Sequence, residues 1–199
     1  MRSTASRAGV PEGDVRERIL QCASDLFYKE GVRAIGVDLI VERSGVAKTS
    51  LYRYFPTKDA LVAAFLQEED AHFWSCWDEA AAAAGDNARK ELQGHLRWIA
   101  ERLGRDNYRG CPQINVSAEF ADPQHPARQI AKAHKEELRR RLGELARRLH
   151  ARKPDRLGLQ LALLINGAFV SSSLLTAEDA YPVLHEAVEA LLAQGVRKA

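Results

Sequence analysis

The stretch that decides the fold is GVAKTSLYRYFPTKDAL, residues 45–61. Gly45 can take the left-handed backbone conformation that ends a helix, and Pro56 cannot continue one because it lacks a backbone donor. The residues between these two therefore predict a helix of barely two turns. Its core contacts come from Val46, Leu51 and Phe55. Its other face carries the hydrogen-bond donors Lys48, Thr49, Tyr52 and Arg53.

The stretch just before Gly45 predicts a second short helix, VDLIVERS, residues 37–44. Val37, Ile40 and Val41 recur at helical spacing and give this helix one apolar face. Two short helices joined by a glycine-containing turn form a helix-turn-helix, whose second helix fits the major groove of DNA. The alternative, an ordinary pair of surface helices, is disfavoured because solubility does not require an aromatic and cationic face. Thr57 is an expected N-cap for the helix that follows.

Residues from about 15 to 61 resemble the DNA-binding domain of the TetR family of bacterial transcriptional regulators. The matching residues are Leu26, Phe27, Gly31, Gly45, Val46, Leu51, Tyr52, Tyr54, Phe55, Lys58 and Leu61. Many family members carry Thr or Ser where the second helix begins, but Gly36 stands there in this chain, which leaves a backbone N–H to bind phosphate. The residues that the resemblance and the helix pattern place at the DNA are Gly36, Val37, Lys48, Thr49, Ser50, Tyr52, Arg53, Tyr54 and Lys58.

The whole chain of 199 residues has the composition of an all-α protein, with no sustained period-two alternation. The predicted fold is an N-terminal three-helix helix-turn-helix domain and a larger C-terminal helical domain for ligand binding and dimerisation, with about nine helices in all. The domain boundaries are expected at residues 1–13 for a disordered arm, 14–57 for the DNA-binding domain and 58–199 for the second domain. The other predicted helices cover residues 14–30, 58 to 80–84, 87–105, 114–120, 124–152, 155–176 and 178–194.

The charge of the chain is unevenly distributed. Residues 124–153 hold ten Lys and Arg against three Asp and Glu, whereas residues 59–123 are acidic, with six against twelve. A second nucleic-acid surface on the basic stretch is one interpretation. The other, which we favour, is a solvated helix face paired with the acidic segment.

The last two predicted helices are apolar on wide faces, and an apolar face of this kind at the chain end indicates a partner. The resemblance implies that the two helices pair with their twofold mates in a homodimer. The residues expected at the dimer interface are Leu164, Gly167, Ala168, Ser171, Leu184, Val188 and Leu191.

A small-molecule pocket among the middle helices is also implied by the resemblance, and these helices hold most of the bulky aromatic residues. The candidate ligand-binding residues are Phe73, Trp77, Trp98, Cys111, Asn115, Phe120 and Asn166. The polar groups considered for orienting a ligand are Asn115, Glu119, His134 and Asn166, although for any one of them an ordinary structural role is the favoured interpretation.

Three cysteines without CxxC spacing indicate neither zinc nor a disulfide framework, and a cytoplasmic location fits, at the nucleoid when DNA is bound. No motif of an enzyme is visible, so no catalysis and no cofactor or metal is expected. The predicted function is a transcriptional regulator, a repressor that leaves its palindromic operator when a small molecule binds the C-terminal domain. The alternative is a regulator that senses thiol-reactive compounds through Cys111, which lies near Arg105 and Arg109 in the sequence.

Overall fold

The structure is a computed structural model that describes residues 12–171 and 174–196. Within these ranges the chain forms nine α-helices and no strand, which confirms the all-α prediction. The helices are α1 (Glu12–Glu30), α2 (Val37–Ser44), α3 (Lys48–Tyr54), α4 (Lys58–Ala84), α5 (Ala88–Leu103), α6 (Pro112–Glu119), α7 (Pro126–Arg148), α8 (Pro154–Val170) and α9 (Ala177–Gly195). None of the described helices is long and apolar enough to cross a membrane. The predicted disordered arm, residues 1–13, lies outside the described residues except for its last two, which begin α1.

The chain divides into two compact units, Met1–Phe65 and Leu66–Ala199, so the division falls inside α4. The sequence analysis placed the boundary earlier, between residues 57 and 58. The difference arises because Leu61, Val62 and Phe65, from the first turns of α4, are buried in the core of the N-terminal unit. The ring of Phe65 packs on that of Phe27 in α1, with centroids 5.9 Å apart.

The core of the C-terminal unit is centred on Phe73 of α4. Five other rings pack around it, within 6.3 Å of it between centroids: Trp74, Trp77, Trp98, His134 and Phe169. Because these rings come from α4, α5, α7 and α8, one side chain joins most of the helices of the unit.

Helices α7 and α8 cross at a pair of glycines. A Cβ added at Gly158 would lie 2.6 Å from the backbone nitrogen of Gly143 and 2.7 Å from its Cα. Since real Cβ atoms do not approach a backbone this closely, the crossing requires glycine at position 158. The sequence analysis did not identify this requirement.

Two predicted helix ends in the C-terminal unit are wrong. Helix α7 ends at Arg148 and not at 152, because His150 takes a positive φ of 57° and the backbone of Arg152 instead bonds to Gly195. Helix α8 ends at Val170 and not at 176. The N–H of Ser171 bonds to the carbonyls of both Gly167 and Ala168, which closes the last turn there.

Four of the seven arginines of the basic stretch 124–153 form ion pairs with carboxylates: Arg140, Arg141, Arg147 and Arg148. Arg141 forms an ion pair with Asp78 of α4, and Arg148 forms one with Glu91 of α5. Arg140 binds Glu137 at 2.6 Å on its own helix. The pairs of Arg141 and Arg148 join the basic helix to the acidic segment, as the favoured interpretation of the charge pattern predicted.

Candidate nucleic-acid interface and effector cavity

The turn between α2 and α3 has the conformation that its sequence predicts. Gly45 lies in the left-handed region at φ 66°, and its N–H bonds to the carbonyl of Val41 at 3.1 Å, which ends α2. Helix α3 begins three residues later and ends when Phe55 turns to an extended conformation ahead of Pro56. Leu51 and Phe55 are buried and hold α3 against the core of the N-terminal unit. The opposite face of α3 is thereby left in solvent.

The exposed face of α3 carries cations and a phenol. Tyr52 is 42% exposed, so its phenol is accessible to a binding partner. The guanidinium of Arg53 lies 4.9 Å from the centre of the Tyr54 ring and donates a hydrogen bond to its hydroxyl at 3.1 Å. This contact aligns the two side chains along the helix and limits the directions that the guanidinium can take.

Lys48 at the start of α3 makes an ion pair that the sequence analysis did not identify. Its Nζ lies 2.6 Å from the carboxylate of Asp38 on α2, and both side chains are exposed. The hydrogen bond to Asp38 raises the pKa of Lys48, so the cation is present throughout the neutral range. Binding of Lys48 to a phosphate would therefore compete with Asp38, and Asp38 would lie as a negative charge beside the DNA.

Two helix N-termini flank α3. Gly36 precedes α2 in an extended conformation without a side-chain cap, as its lack of a side chain requires. The hydroxyl of Thr57 accepts a hydrogen bond from the N–H of Ala60 at 3.0 Å, which confirms the predicted N-cap of α4. Lys58 follows directly as the first residue of that helix.

All nine residues predicted at the DNA thus belong to the start of α2, to α3 or to the start of α4. The exposed members are Gly36, Lys48, Thr49, Tyr52 and Arg53. The half-buried members are Val37, Ser50, Tyr54 and Lys58.

The C-terminal unit contains a small, mostly enclosed cavity. About 10 Å³ of it is open to the centre of a water-sized sphere, which is room for roughly one water molecule. Its walls are Glu69, Phe73, Arg102, Cys111, Pro112, Gln113, His134 and Phe169. Phe73 and Phe169 contribute aromatic rings to the wall, and two other wall residues, Arg102 and Glu69, form an ion pair at 3.4 Å.

Of the predicted ligand-binding residues, Phe73 and Cys111 line this cavity. Trp77 stacks on His95, and Trp98 meets Phe73 edge-on at 5.0 Å. The remaining three lie elsewhere: Asn115 donates to the carbonyl of Arg109, Phe120 stacks on His125, and Asn166 donates to the carbonyl of Ala162. Of the other wall residues, His134 was a candidate from the sequence. The remaining five were not, because only tertiary packing brings them to one place: Glu69, Arg102, Pro112, Gln113 and Phe169.

The cation that contacts Cys111 is not one of the arginines nearest in sequence. Lys135 of α7 donates to the Cys111 sulfur at 3.6 Å. The thiol is 5% exposed, and burial is the main cause that lowers the pKa of Lys135. No group of three or more His, Cys, Asp or Glu side chains within the described ranges is placed to hold a metal ion.

An apolar groove runs between α8 and α9 on the surface of the C-terminal unit. Leu163, Leu174 and Val183 are 65%, 81% and 49% exposed along it. Six of the residues predicted at the dimer interface line the groove: Leu164, Gly167, Ala168, Ser171, Leu184 and Leu191. The seventh, Val188, is 1% exposed and packs into the core of the unit.

Comparison with known proteins gives one consistent family. Residues 19–65 match the family model described as bacterial regulatory proteins, tetR family. The structure of SCO4454, a TetR-family transcriptional regulator from Streptomyces coelicolor, superposes with a TM-score of 0.87 at 27% identity, covering 93% of this chain and 97% of that one. A protein of Streptomyces avermitilis, sav143, described as a TetR transcriptional regulator, is 31% identical with a TM-score of 0.80, covering 90% of this chain and 97% of that one.

Among curated proteins, the HTH-type transcriptional regulator LmrA of Bacillus subtilis is 27% identical over 183 residues, which is 87% of this chain and 93% of LmrA. The matches to two other curated regulators are partial and span 23% and 44% of those proteins. The likeness to sav143 extends through both units of the chain, and the family model falls on the helix-turn-helix. The chain therefore belongs to the TetR family of transcriptional regulators and carries its DNA-binding helix-turn-helix.

Proposed function

We propose that this regulator is a homodimeric repressor that binds a palindromic operator and leaves it when a small molecule enters the C-terminal unit. The observation that carries the proposal is the exposed face of α3, where Lys48, Tyr52 and Arg53 stand in solvent on a helix of major-groove size. Because its partner is chromosomal DNA, the protein acts in the cytoplasm, at the nucleoid.

The contacts fall into two kinds. Three groups are suited to phosphate contacts. Lys58 and the N–H groups that follow Gly36 offer donors at helix N-termini, and Tyr52 offers its hydroxyl from α3. Arg53 is suited to a base edge, because its guanidinium is held in place by Tyr54 and a fixed guanidinium can bind guanine O6 and N7 together. The phosphate contacts would position the protein along the DNA, and Arg53 would distinguish one base sequence from another.

A second copy of the chain is the proposed occupant of the groove between α8 and α9. Three large apolar side chains are exposed along it, and an exposed apolar patch of this kind indicates an interaction site. Two DNA-binding domains related by a twofold axis would contact half-sites one or more turns of the DNA helix apart. This explains how a short recognition helix gains specificity.

Release requires that the effector bind the state that does not fit DNA more tightly than the state that does. Helix α4 is the element suited to this coupling. Its first residue is Lys58, a proposed phosphate contact, and its later residues Glu69 and Phe73 form part of the cavity wall.

The experiment measures binding of fluorescent operator DNA by the parent protein, Tyr52→Ala and Arg53→Ala, with sedimentation to check that each stays dimeric. Tyr52→Ala is expected to weaken specific and random DNA alike, whereas Arg53→Ala weakens the operator more, by about 1–3 kcal/mol. Equal losses on both DNAs for Arg53→Ala would make it a phosphate contact. A promoter–reporter carrying the operator would then give the sign of regulation, and higher expression with the protein present would refute repression.

A second function is favoured by the contact between Lys135 and Cys111. Lys135 Nζ donates to the Cys111 sulfur at 3.6 Å, so a hydrogen-bond donor lies beside the atom that would react. In this alternative, the Cys111 sulfur adds to the β-carbon of an α,β-unsaturated carbonyl compound while the α-carbon takes up a proton. The thioether would no longer fit beside Lys135, and the cavity wall would have to rearrange.

N-ethylmaleimide is the probe for this alternative, and Cys111→Ser is the matched control. The alternative predicts that alkylation lowers operator affinity in the parent protein and leaves Cys111→Ser unchanged. Unchanged affinity of a parent protein shown by mass spectrometry to be modified at Cys111 would refute it.

A further inference from the structure

Two residues of the cavity wall in the C-terminal unit each carry a buried polar atom that has no hydrogen-bond partner. One is Nε2 of His134, whose side chain is 1% exposed, and the other is Oε1 of Gln113, a residue that is 2% exposed. Both residues form part of the cavity wall, His134 from α7 and Gln113 from α6. A buried polar atom without a partner is costly, so two at one cavity indicate that something else satisfies them.

The protonation of His134 follows from its other contact. Its Nδ1 lies 2.6 Å from the carboxylate of Asp70, which also accepts a hydrogen bond from Trp74 Nε1 at 2.9 Å. An ionised carboxylate only accepts, so Nδ1 carries the hydrogen. Burial, the largest cause, lowers the pKa of His134 despite the opposing effect of Asp70, and the ring is therefore neutral at pH 7. The Nε2 atom of His134 therefore carries no hydrogen, and its lone pair can only accept a hydrogen bond.

The orientation of the Gln113 amide is fixed in the same way. Its Nε2 donates to the backbone carbonyl of Leu66 at 3.0 Å, and a carbonyl can only accept. The oxygen end is therefore the atom left without a partner, and it too is an acceptor. The two orphaned atoms at this cavity thus have the same hydrogen-bonding character.

The cations near the cavity are already engaged. Arg102 is paired with Glu69 at 3.4 Å, and Lys135 donates to Cys111 at 3.6 Å. Each cation already has a partner, so an anionic ligand would have to displace a carboxylate or a thiol and would also meet the two acceptors. The remaining walls are apolar and include the rings of Phe73 and Phe169, whose centroids are 6.3 Å apart.

We propose that the effector of this regulator is an uncharged aromatic molecule that donates hydrogen bonds through O–H or N–H groups to His134 Nε2 and Gln113 Oε1. Its ring lies among Phe73 and Phe169. The inference deepens the proposed function, since it assumes that this cavity receives the effector. The cavity holds roughly one water in the present conformation. Entry of a ring therefore has to move α6 or α7 against α4, and this movement is the coupling that release requires.

The first test compares pairs of probes in which methyl groups replace the donor hydrogens. Phenol is paired with anisole, and benzamide with N,N-dimethylbenzamide, and the binding of each to the protein without DNA is measured by calorimetry. Leaving a buried acceptor without a partner costs about 1–3 kcal/mol, so the donor member of each pair is expected to bind about 5- to 150-fold more tightly. Equal or tighter binding of the methylated members, or no binding of either class, would overturn the proposal.

Variants assign the preference to the two atoms. The double variant His134→Phe, Gln113→Met removes both acceptors at similar volume, and it is expected to bind the two members of each pair within about twofold. Asn166→Leu is the matched control, because Asn166 has a buried unpartnered amide oxygen on α8 but does not line the cavity. It should retain the full preference. Loss of the preference in Asn166→Leu alone would overturn the assignment.

A second measurement needs no ligand and no variant. Nitrogen-15 NMR of the imidazoles distinguishes a protonated from a bare ring nitrogen, and His134 is expected to show a bare Nε2 at pH 7. A hydrogen on Nε2 would overturn the proposal. Neither measurement uses DNA, so their failure would leave operator binding intact, and a failure to find an operator would leave the donor preference intact.

Discussion

The stability of the C-terminal unit is expected to fall in mild acid because of His95. This side chain of α5 is fully buried, with its ring stacked on Trp77 at 3.7 Å between centroids. Burial is the largest cause that lowers its pKa from 6.5 to about 4, and Arg141 acts in the same direction, whereas Glu91 and Asp78 oppose them. Its Nδ1 has no partner, so protonation would add a buried N–H without an acceptor.

The sign and the size follow from the two pKa values. Between pH 6.5 and about 4 the unfolded chain binds a proton at His95 and the folded chain does not, so stability is lost as the pH falls through this window. One pKa unit corresponds to about 1.4 kcal/mol, so the complete loss is about 3 kcal/mol. At pH 5 the loss relative to pH 8 is about 2 kcal/mol.

The assay is urea unfolding at pH 8 and pH 5, at one protein concentration because the proposed dimerisation would make stability depend on concentration. His95→Phe retains a ring against Trp77 and His95→Gln retains a polar side chain, and neither can take up the proton. Burial also lowers the pKa of His134, and that contribution is common to all three proteins. The parent protein is therefore expected to lose about 2 kcal/mol more than either variant. An equal loss in all three proteins would refute a buried neutral His95.

Three further predictions concern single positions. Gly158→Ala should cost about 1–3 kcal/mol in urea unfolding, because its Cβ would meet the backbone of the neighbouring helix at 2.6 Å. Gly94→Ala, with 3.8 Å to its nearest neighbour, is the control and should be neutral or stabilising, and equal losses would contradict the close crossing. Lys58→Ala should lower the slope of log affinity against log salt by about 0.9 for each head, and an unchanged slope would remove Lys58 from the phosphate contacts. Asp38→Asn should strengthen operator binding about threefold at low salt and less at high salt, because it releases Lys48 from its exposed ion pair. Weaker binding would show that the pair positions Lys48 for DNA.

The helix-turn-helix could be predicted from the sequence because the residues that begin and end its helices act locally. The positive φ of Gly45 and the helix-ending effect of Pro56 act within a few residues of their own positions. The N-cap at Thr57 is another contact between residues three apart. Helix α2 accordingly begins and ends at the predicted residues, and α4 begins at its predicted residue, Lys58.

The cavity proposed for the effector could not be predicted because its walls come from five helices. Glu69 and Gln113 are 44 positions apart in the chain, and no local pattern marks either as a neighbour of the other. The sequence favoured aromatic residues as a class, but most of these fill the core around Phe73. The cation of Cys111 was misassigned for the same reason, since Lys135 reaches it from α7 and not from the flanking loop.

The end of α8 was mispredicted because the apolar residues beyond Val170 were assigned to the same helix. Val170 is followed by a serine whose N–H closes the last turn on two carbonyls. The apolar residues beyond it, Leu174 and Leu175, line the groove between α8 and α9 without continuing the helix. Residues buried against a partner and residues buried within a helix bundle are both apolar. The sequence alone therefore does not distinguish the two.

The most direct test of the account is selection of genomic DNA fragments by the purified protein at near-physiological salt, in parallel with Tyr52→Ala. The account predicts recovery of a palindromic site by the parent protein and loss of that site in the variant, with the dimer intact in both. Recovery of random fragments only would contradict sequence reading by α3. Equal recovery of the same site by Tyr52→Ala would contradict the proposed contact between Tyr52 and the DNA.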